Sequence, residues 1–260
     1  MQRMCAFCPV AAVETGGEHV WDAWLNKALP ETRYRARRQH SVNSPVVEYD
    51  TDSLNLKLPV VCDECNHTWM SALSLKVKDR FGRAMLDGEP FSLGARDAAI
   101  LAAFTFMKAV VTNHLTVDEY EPFFTRAARE RFRTSLAIPP RTKMWFAAFQ
   151  GESRISTRSN FNIVGANAPG LLYGMEFGSF SYVVGKLAFQ LLAPRWKRID
   201  HRGSPLVSLT PNAFWEPAVT LFWPHSGDFL LWPPSKKFGD DMIQEFIERF
   251  ARHPVNIPIS

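Results

Sequence analysis

Apolar residues recur every fourth position from Trp69 through Leu73, Val77 and Phe81 to Met85. That spacing predicts an amphipathic helix of about five turns beginning at the second of two Cys-x-x-Cys pairs. Just upstream, Leu54, Leu56 and Leu58 alternate with Asn55 and Lys57, the period of a strand with one buried face. This strand, SLNLKLPVV, runs directly into Cys62. Nearer the start, HVWDAWLNKAL carries Val20, Trp21, Trp24, Leu25 and Leu29 at helical spacing. A short helix is expected to begin near His19 and end before Pro30. Residues 95–115, ARDAAILAAFTFMKAVVTNHL, are apolar on most sides and predict a core helix, and VDEYEPFFTRAARERFRTSL reads as a second, amphipathic one. Beyond Pro140 the texture becomes strand-like in KMWFAAFQ, RISTRSNFNIVG, LLYGMEFGSFSYVVG, AVTLFW and DFLLW, while LAFQLLAPRW suits helix or strand. The stretch KKFGDDMIQEFIERFARH, with Met242, Phe246 and Phe250 in register, predicts a closing helix. Helices followed by strands predict an α+β fold.

The glycines, proline and turn formers of LDGEPFSLG, residues 86–94, mark a boundary between residues 1–88 and residues 89–260. At 260 residues and 46% apolar content the chain is long enough to bury a substantial core. A net charge of +4 permits a polyanionic partner without requiring one. The absence of a long apolar run or a secretory apolar core leads us to expect a soluble, cytoplasmic protein. In such a reducing setting, cysteines arranged as two Cys-x-x-Cys pairs suit metal ligation better than disulfides.

All four cysteines lie in the first part, as Cys5, Cys8, Cys62 and Cys65, in the pattern C-x2-C-x53-C-x2-C. Each Cys-x-x-Cys turn puts both sulfurs on one side of a tight loop, so two turns can close a tetrahedron around Zn2+ at about 2.3 Å from each sulfur. Four thiolates leave no open position, which makes the expected zinc structural. A redox pair and two unrelated buried pairs are the competing readings.

The segments CAFCPVAAVETGGEHVWDAWL and VVCDECNHTWMSAL combine a Cys-x-x-Cys, a downstream Glu18-His19 dipeptide and a second Cys-x-x-Cys followed by Asn66. Together they resemble the HNH endonuclease superfamily in its zinc-stabilised, treble-clef form. The resemblance covers about the first 85 residues and implies a ββα-metal arrangement, in which a strand or turn bearing the dipeptide faces the start of a helix. It further implies a metal-dependent endonuclease acting on DNA, in phage or mobile-element biology or in host defence. By the same resemblance His19 is the general base, Glu18 binds a catalytic Mg2+ or Mn2+, and Asn66 supplies the third contact, with His67 able to substitute. The chain has Glu where many members have Asp, and the nearest candidate for the family's middle asparagine is Asn55, at a longer spacing.

Structural alternatives stand beside each of these roles. His19 also suits a helix-capping or partly buried position, Asn66 suits backbone capping, and Trp21, Trp24, Trp69 and Met70 suit core. Arg33, Arg35, Arg37 and Arg38 form the densest basic run and read either as a solvated face or as a phosphate-binding, nucleic-acid-contacting strip. The alternative function is a catalytically inactive, zinc-stabilised module that binds nucleic acid or protein. Residues 89–260 carry no Walker A, GxSxG or dinucleotide motif, and their aromatics suit a homodimer or protein-partner interface.

Overall fold

The computed structural model describes residues 4–12, 17–29, 34–38, 47–51, 57–114, 122–151, 155–168, 171–197, 217–243 and 245–246. It forms two compact units, Met1–Asp79 with Val110–Ala137, and Arg80–Ala109 with Ile138–Ser260. The fold mixes helices and strands, as expected for an α+β chain. The stretch 86–94 lies inside the second unit.

The first unit opens with a tight loop around Cys5 and Cys8, closed by a bridge between Met4 and Ala11 and by Cys5 N–H donating to Val10 O at 2.8 Å. Strand β1 (Glu18–His19) follows, then helix α1 (Ala23–Ala28). The helix therefore starts four residues beyond His19. His19 instead takes extended backbone because β1 pairs with a later strand. Strands β2 (Tyr34–Arg38) and β3 (Val47–Thr51) form an antiparallel pair in which Arg35 lies opposite Asp50 and Arg37 opposite Glu48. Of the expected 53–61 strand, residues 57–61 are described and only β4 (Lys57–Leu58) is strand, with Leu58 buried and Lys57 exposed; the chain then turns, Val60 N–H bonding Leu58 O at 2.8 Å. Leu54, Asn55 and Leu56 lie outside the described residues.

Helix α2 (Asp63–Cys65), a π-helical turn (Asn66–Met70) and helix α3 (Ser71–Asp87) run on as one rod. Leu73, Val77, Phe81 and Met85 are all buried along it, as their four-residue spacing requires. Strand β5 (Phe91–Leu93) leads to helix α4 (Ala95–Asn113), which is buried nearly all round. Even Lys108 is fully enclosed there, its Nζ 5.7 Å from the centre of the Phe104 ring. Helix α5 (Arg126–Ser135) is shorter than the 117–136 segment suggested. Thr125 caps it, its hydroxyl accepting from Ala128 N–H at 3.3 Å, and Phe123 N–H is taken by the Asn113 side-chain oxygen at 2.8 Å. With that amide already bonded, the chain enters the helix only at Thr125.

The second unit is built on a six-stranded sheet. Strands β6 (Lys143–Phe149), β7 (Ile155–Ala168), β8 (Leu171–Val184), β9 (Leu187–Lys197) and β10 (Val219–Trp223) lie in the order β10-β6-β9-β8-β7, each neighbouring pair antiparallel. LAFQLLAPRW is thus strand. Strand β11 (Leu230–Trp232) pairs with β5, and β12 (Lys237–Phe238) runs parallel to the end of β6. On β6, Trp145, Ala147 and Phe149 alternate with Met144, Phe146 and Ala148, and all six are buried. Both faces of this central strand are therefore covered, which is why its sequence is a continuous apolar run. One face packs Trp145, Phe149, Val183, Phe238 and Phe246 together. Phe104 of α4 meets Tyr182 and Phe189 edge-on. The predicted closing helix 236–253 starts later than its sequence suggests: Lys237–Phe238 are drawn into β12 by pairing with β6, helical backbone is present at 240–243 and 245–246, and residues 244 and 247–253 lie outside the described residues.

Candidate metal centre

The four cysteines come from two loops far apart in the chain. In the first, backbone N–H groups turn inward: Phe7 N–H donates to Cys5 Sγ at 3.4 Å, and Val10 donates to the Cys8 sulfur. The second loop opens the long helix, with Cys62 at its N-cap and Cys65 ending α2, and the Cys65 N–H donates to the Cys62 sulfur. Ala6 N–H bonds Val60 O at 2.7 Å, which ties the loops to each other beside the sulfurs.

All four Sγ atoms lie within 4.8 Å of one another and all four residues are buried. Cys8 Sγ is 3.5 Å from Cys62 Sγ and 3.7 Å from Cys65 Sγ. A tetrahedral zinc with bonds of about 2.3 Å requires sulfurs about 3.8 Å apart. No pair among them is bonded as a disulfide. The group can hold a metal such as zinc, and its donor set suits a soft or borderline ion.

The electrostatics fit the same conclusion. Burial pushes the Cys8 thiol up to about 11 and the Cys65 thiol higher still. Cys62 moves the other way: burial opposes ionisation, but hydrogen bonds from the Cys65 N–H and from the neighbouring thiols outweigh it. Four thiolates packed this closely would repel one another without a cation to share. The Trp69 indole N–H is buried with no hydrogen-bond partner and lies near enough to the Cys65 sulfur to favour its ionised form against the larger effect of burial. A metal-bound thiolate supplies the acceptor that this donor needs.

Aromatic rings enclose the loops. Phe7, inside the first Cys-x-x-Cys, is fully buried, with its ring 5.0 Å from that of Trp69 and 6.3 Å from Phe132. The Trp69 and Phe132 rings are 5.7 Å apart. Trp21 and Met70 are buried, in keeping with core roles.

Beside this centre, β1 and β4 pair antiparallel with Glu18 opposite Leu58 and His19 opposite Lys57. Glu18 is buried and His19 half-buried. Asn66 Nδ2 donates to Gly17 O at 3.4 Å, joining the helix start to the residue before Glu18. His67 is exposed and its Nδ1 sits 3.0 Å from Asp63 O, one turn back in its own helix. Arg33 lies outside the described residues, and Arg35, Arg37 and Arg38 occupy β2.

Sequence reasoning missed two arginines of α5. Arg129 is buried; its Nε donates to Phe124 O at 3.0 Å and its Nη1 to Ala6 O. Arg133 Nη2 donates to Glu64 Oε1 at 2.9 Å. Its guanidinium is held above its ordinary value, most strongly by the charge of Cys65. The only hint in the sequence is the i, i+4 placement of two arginines flanking a phenylalanine. Among the described residues no helix is long and apolar enough to cross a membrane.

Against known proteins, no family model, no curated protein and no solved structure matches the chain.

Proposed function

We propose that this chain is a metal-dependent endonuclease of the HNH type, hydrolysing phosphodiester bonds in DNA, with a zinc-stapled treble-clef or ββα-metal arrangement in its first unit. One observation carries the reading. The strand bearing Glu18 and His19 pairs with the strand that leads into the second cysteine loop, and Asn66 at the helix start reaches back to Gly17. Two strands and a helix thus converge on the dipeptide, beside a four-cysteine group that fits structural zinc.

Within this reading the half-buried His19 imidazole accepts the proton of the attacking water, a role worth about 100- to 10,000-fold in rate. Glu18 and the Asn66 side-chain oxygen are the ligands for a catalytic cation. With its amide nitrogen committed to Gly17 O, Asn66 is held in one orientation. His67 is tied to its own helix turn by Asp63, so we assign the helix-side contact to Asn66. When bound, Mg2+ or Mn2+ neutralises the scissile phosphate and the departing oxygen. Arg33, Arg35, Arg37 and Arg38 hold flanking phosphates, and binding through them weakens steeply with salt.

Plasmid nicking in Mg2+ or Mn2+ tests the proposal. Cleavage by the wild type that His19→Ala abolishes supports it, whereas cleavage untouched by His19→Ala identifies a contaminant and refutes it. A salt-sensitive gel shift without cleavage by the wild type would refute the nuclease and establish the binding module instead.

A further inference from the structure

Arg129 and Arg133 lie four residues apart and so share one face of α5. Each reaches a different cysteine loop. Arg129 donates to the carbonyl of Ala6, inside Cys5-Ala6-Phe7-Cys8, and Arg133 donates to the carboxylate of Glu64, inside Cys62-Asp63-Glu64-Cys65. Between them, Phe132 is fully buried against the rings of Phe7 and Trp69, one from each loop region. The Ala6 peptide is consequently held on both sides, its N–H by Val60 O and its carbonyl by Arg129.

We propose that α5 is the outer clamp of the cysteine centre, with Arg129 and Arg133 as positioning residues that fix one Cys-x-x-Cys loop each, Arg129 also offsetting the charge of a metal-bound tetrathiolate. This rests on reading Cys5, Cys8, Cys62 and Cys65 as a metal centre. Zinc with four thiolates is formally a dianion, and a buried guanidinium whose hydrogen bonds go to neutral carbonyls lacks a counter-charge of its own. Arg129 is such a guanidinium, buried with its donors on Phe124 O and Ala6 O, the latter carbonyl adjoining Cys5. Each group thus supplies what the other lacks. The ion pair between Arg133 and Glu64 is partly exposed, and as an isolated surface pair it would contribute little. Its location inside the second loop gives it a specific consequence, namely control of how readily that loop opens to release metal.

The test is the rate at which zinc passes from the full-length protein to an excess of a chromogenic chelator, measured for the wild type, Arg133→Met, Arg133→Lys and Arg129→Lys. Loss of groups that orient metal ligands typically costs about 10- to 100-fold in metal affinity. We expect release from Arg133→Met to be faster by about that factor, with Arg133→Lys partly restored because the charge remains. Arg129→Lys keeps a charge but loses the fork that spans Ala6 and Phe124, and its release is expected to be faster too. Release from Arg133→Met and Arg129→Lys within about twofold of wild type, with zinc bound in each, overturns the clamp. If Arg129→Lys fails to fold, the partly exposed position Arg133 decides alone. A wild type that purifies without metal and takes up none removes the metal reading and the clamp with it, an outcome distinguished by the wild-type sample itself.

Discussion

Gly17→Ala perturbs the contact on which the proposed site depends. Gly17 has φ of +67°. A Cβ there would stand 2.5 Å from the Leu58 carbonyl carbon and 2.9 Å from Pro59 N, and nearer still to the Leu58 oxygen. Left-handed backbone costs a non-glycine residue about 1–2 kcal/mol, and relieving the overlap by moving backbone costs about 1–3 kcal/mol more. The β1–β4 ladder is only two residue pairs long, so it yields before the covalent geometry does, and β1 moves away from β4. The lower limit, about 2 kcal/mol, lowers the midpoint of thermal unfolding by about 4–8 °C for a chain of this size class. A displacement of about 1 Å at Glu18 and His19 reduces nicking by about 100-fold. Because the cysteines are held by other bonds, zinc content should stay unchanged. Differential scanning fluorimetry, plasmid nicking and metal analysis on one preparation check all three. Unfolding within about 1 °C of wild type with full nicking activity would refute the close approach of Gly17 to Leu58 and the placement argued from it.

Three further outcomes follow from the same geometry. Phe132→Ala, which removes a fully buried ring between Phe7 and Trp69, should destabilise the protein by about 3–5 kcal/mol in urea unfolding; a loss below about 1 kcal/mol would contradict that packing. Metal affinity should fall as the pH falls: the Cys8 thiol at about 11 and the raised Cys65 thiol are both protonated at neutrality in the metal-free site, so binding expels at least these two protons and the apparent affinity drops by at least about 100-fold per pH unit on acidification. Chelator competition across about two pH units measures the slope, and a flat profile would contradict it. In the second unit, Gly185 has φ of +55° and a Cβ there would meet the Met85 carbonyl. Gly185→Ala should therefore lower thermal stability by about 2 kcal/mol or more while leaving the zinc content of the folded protein unchanged.

Much of the architecture was legible because its causes are local. The four-residue period from Trp69 to Met85 marks a buried helical stripe, and the runs after residue 140 mark strands. Two Cys-x-x-Cys turns define a ligand set whatever the chain does between them. The rest depends on distant partners. His19 belongs to a helical pattern in sequence, yet pairing with Lys57 draws it into β1. The basic run 33–38 gives no period, and the observed β2 strand is set by pairing with β3. The clamp on the cysteine loops joins Arg129 to Ala6 and Arg133 to Glu64, contacts 123 and 69 residues apart that no spacing rule reaches. Arg129 and Arg133 look like ordinary charges on a polar helix until the fold brings the loops to them.

The most direct measurement is the metal content of the purified protein by mass spectrometry of the digested sample. The account predicts about one zinc per chain, lost on replacing Cys8 or Cys65 by serine. A wild type with intact, reduced thiols that carries no metal, and binds none when zinc is added, would contradict it.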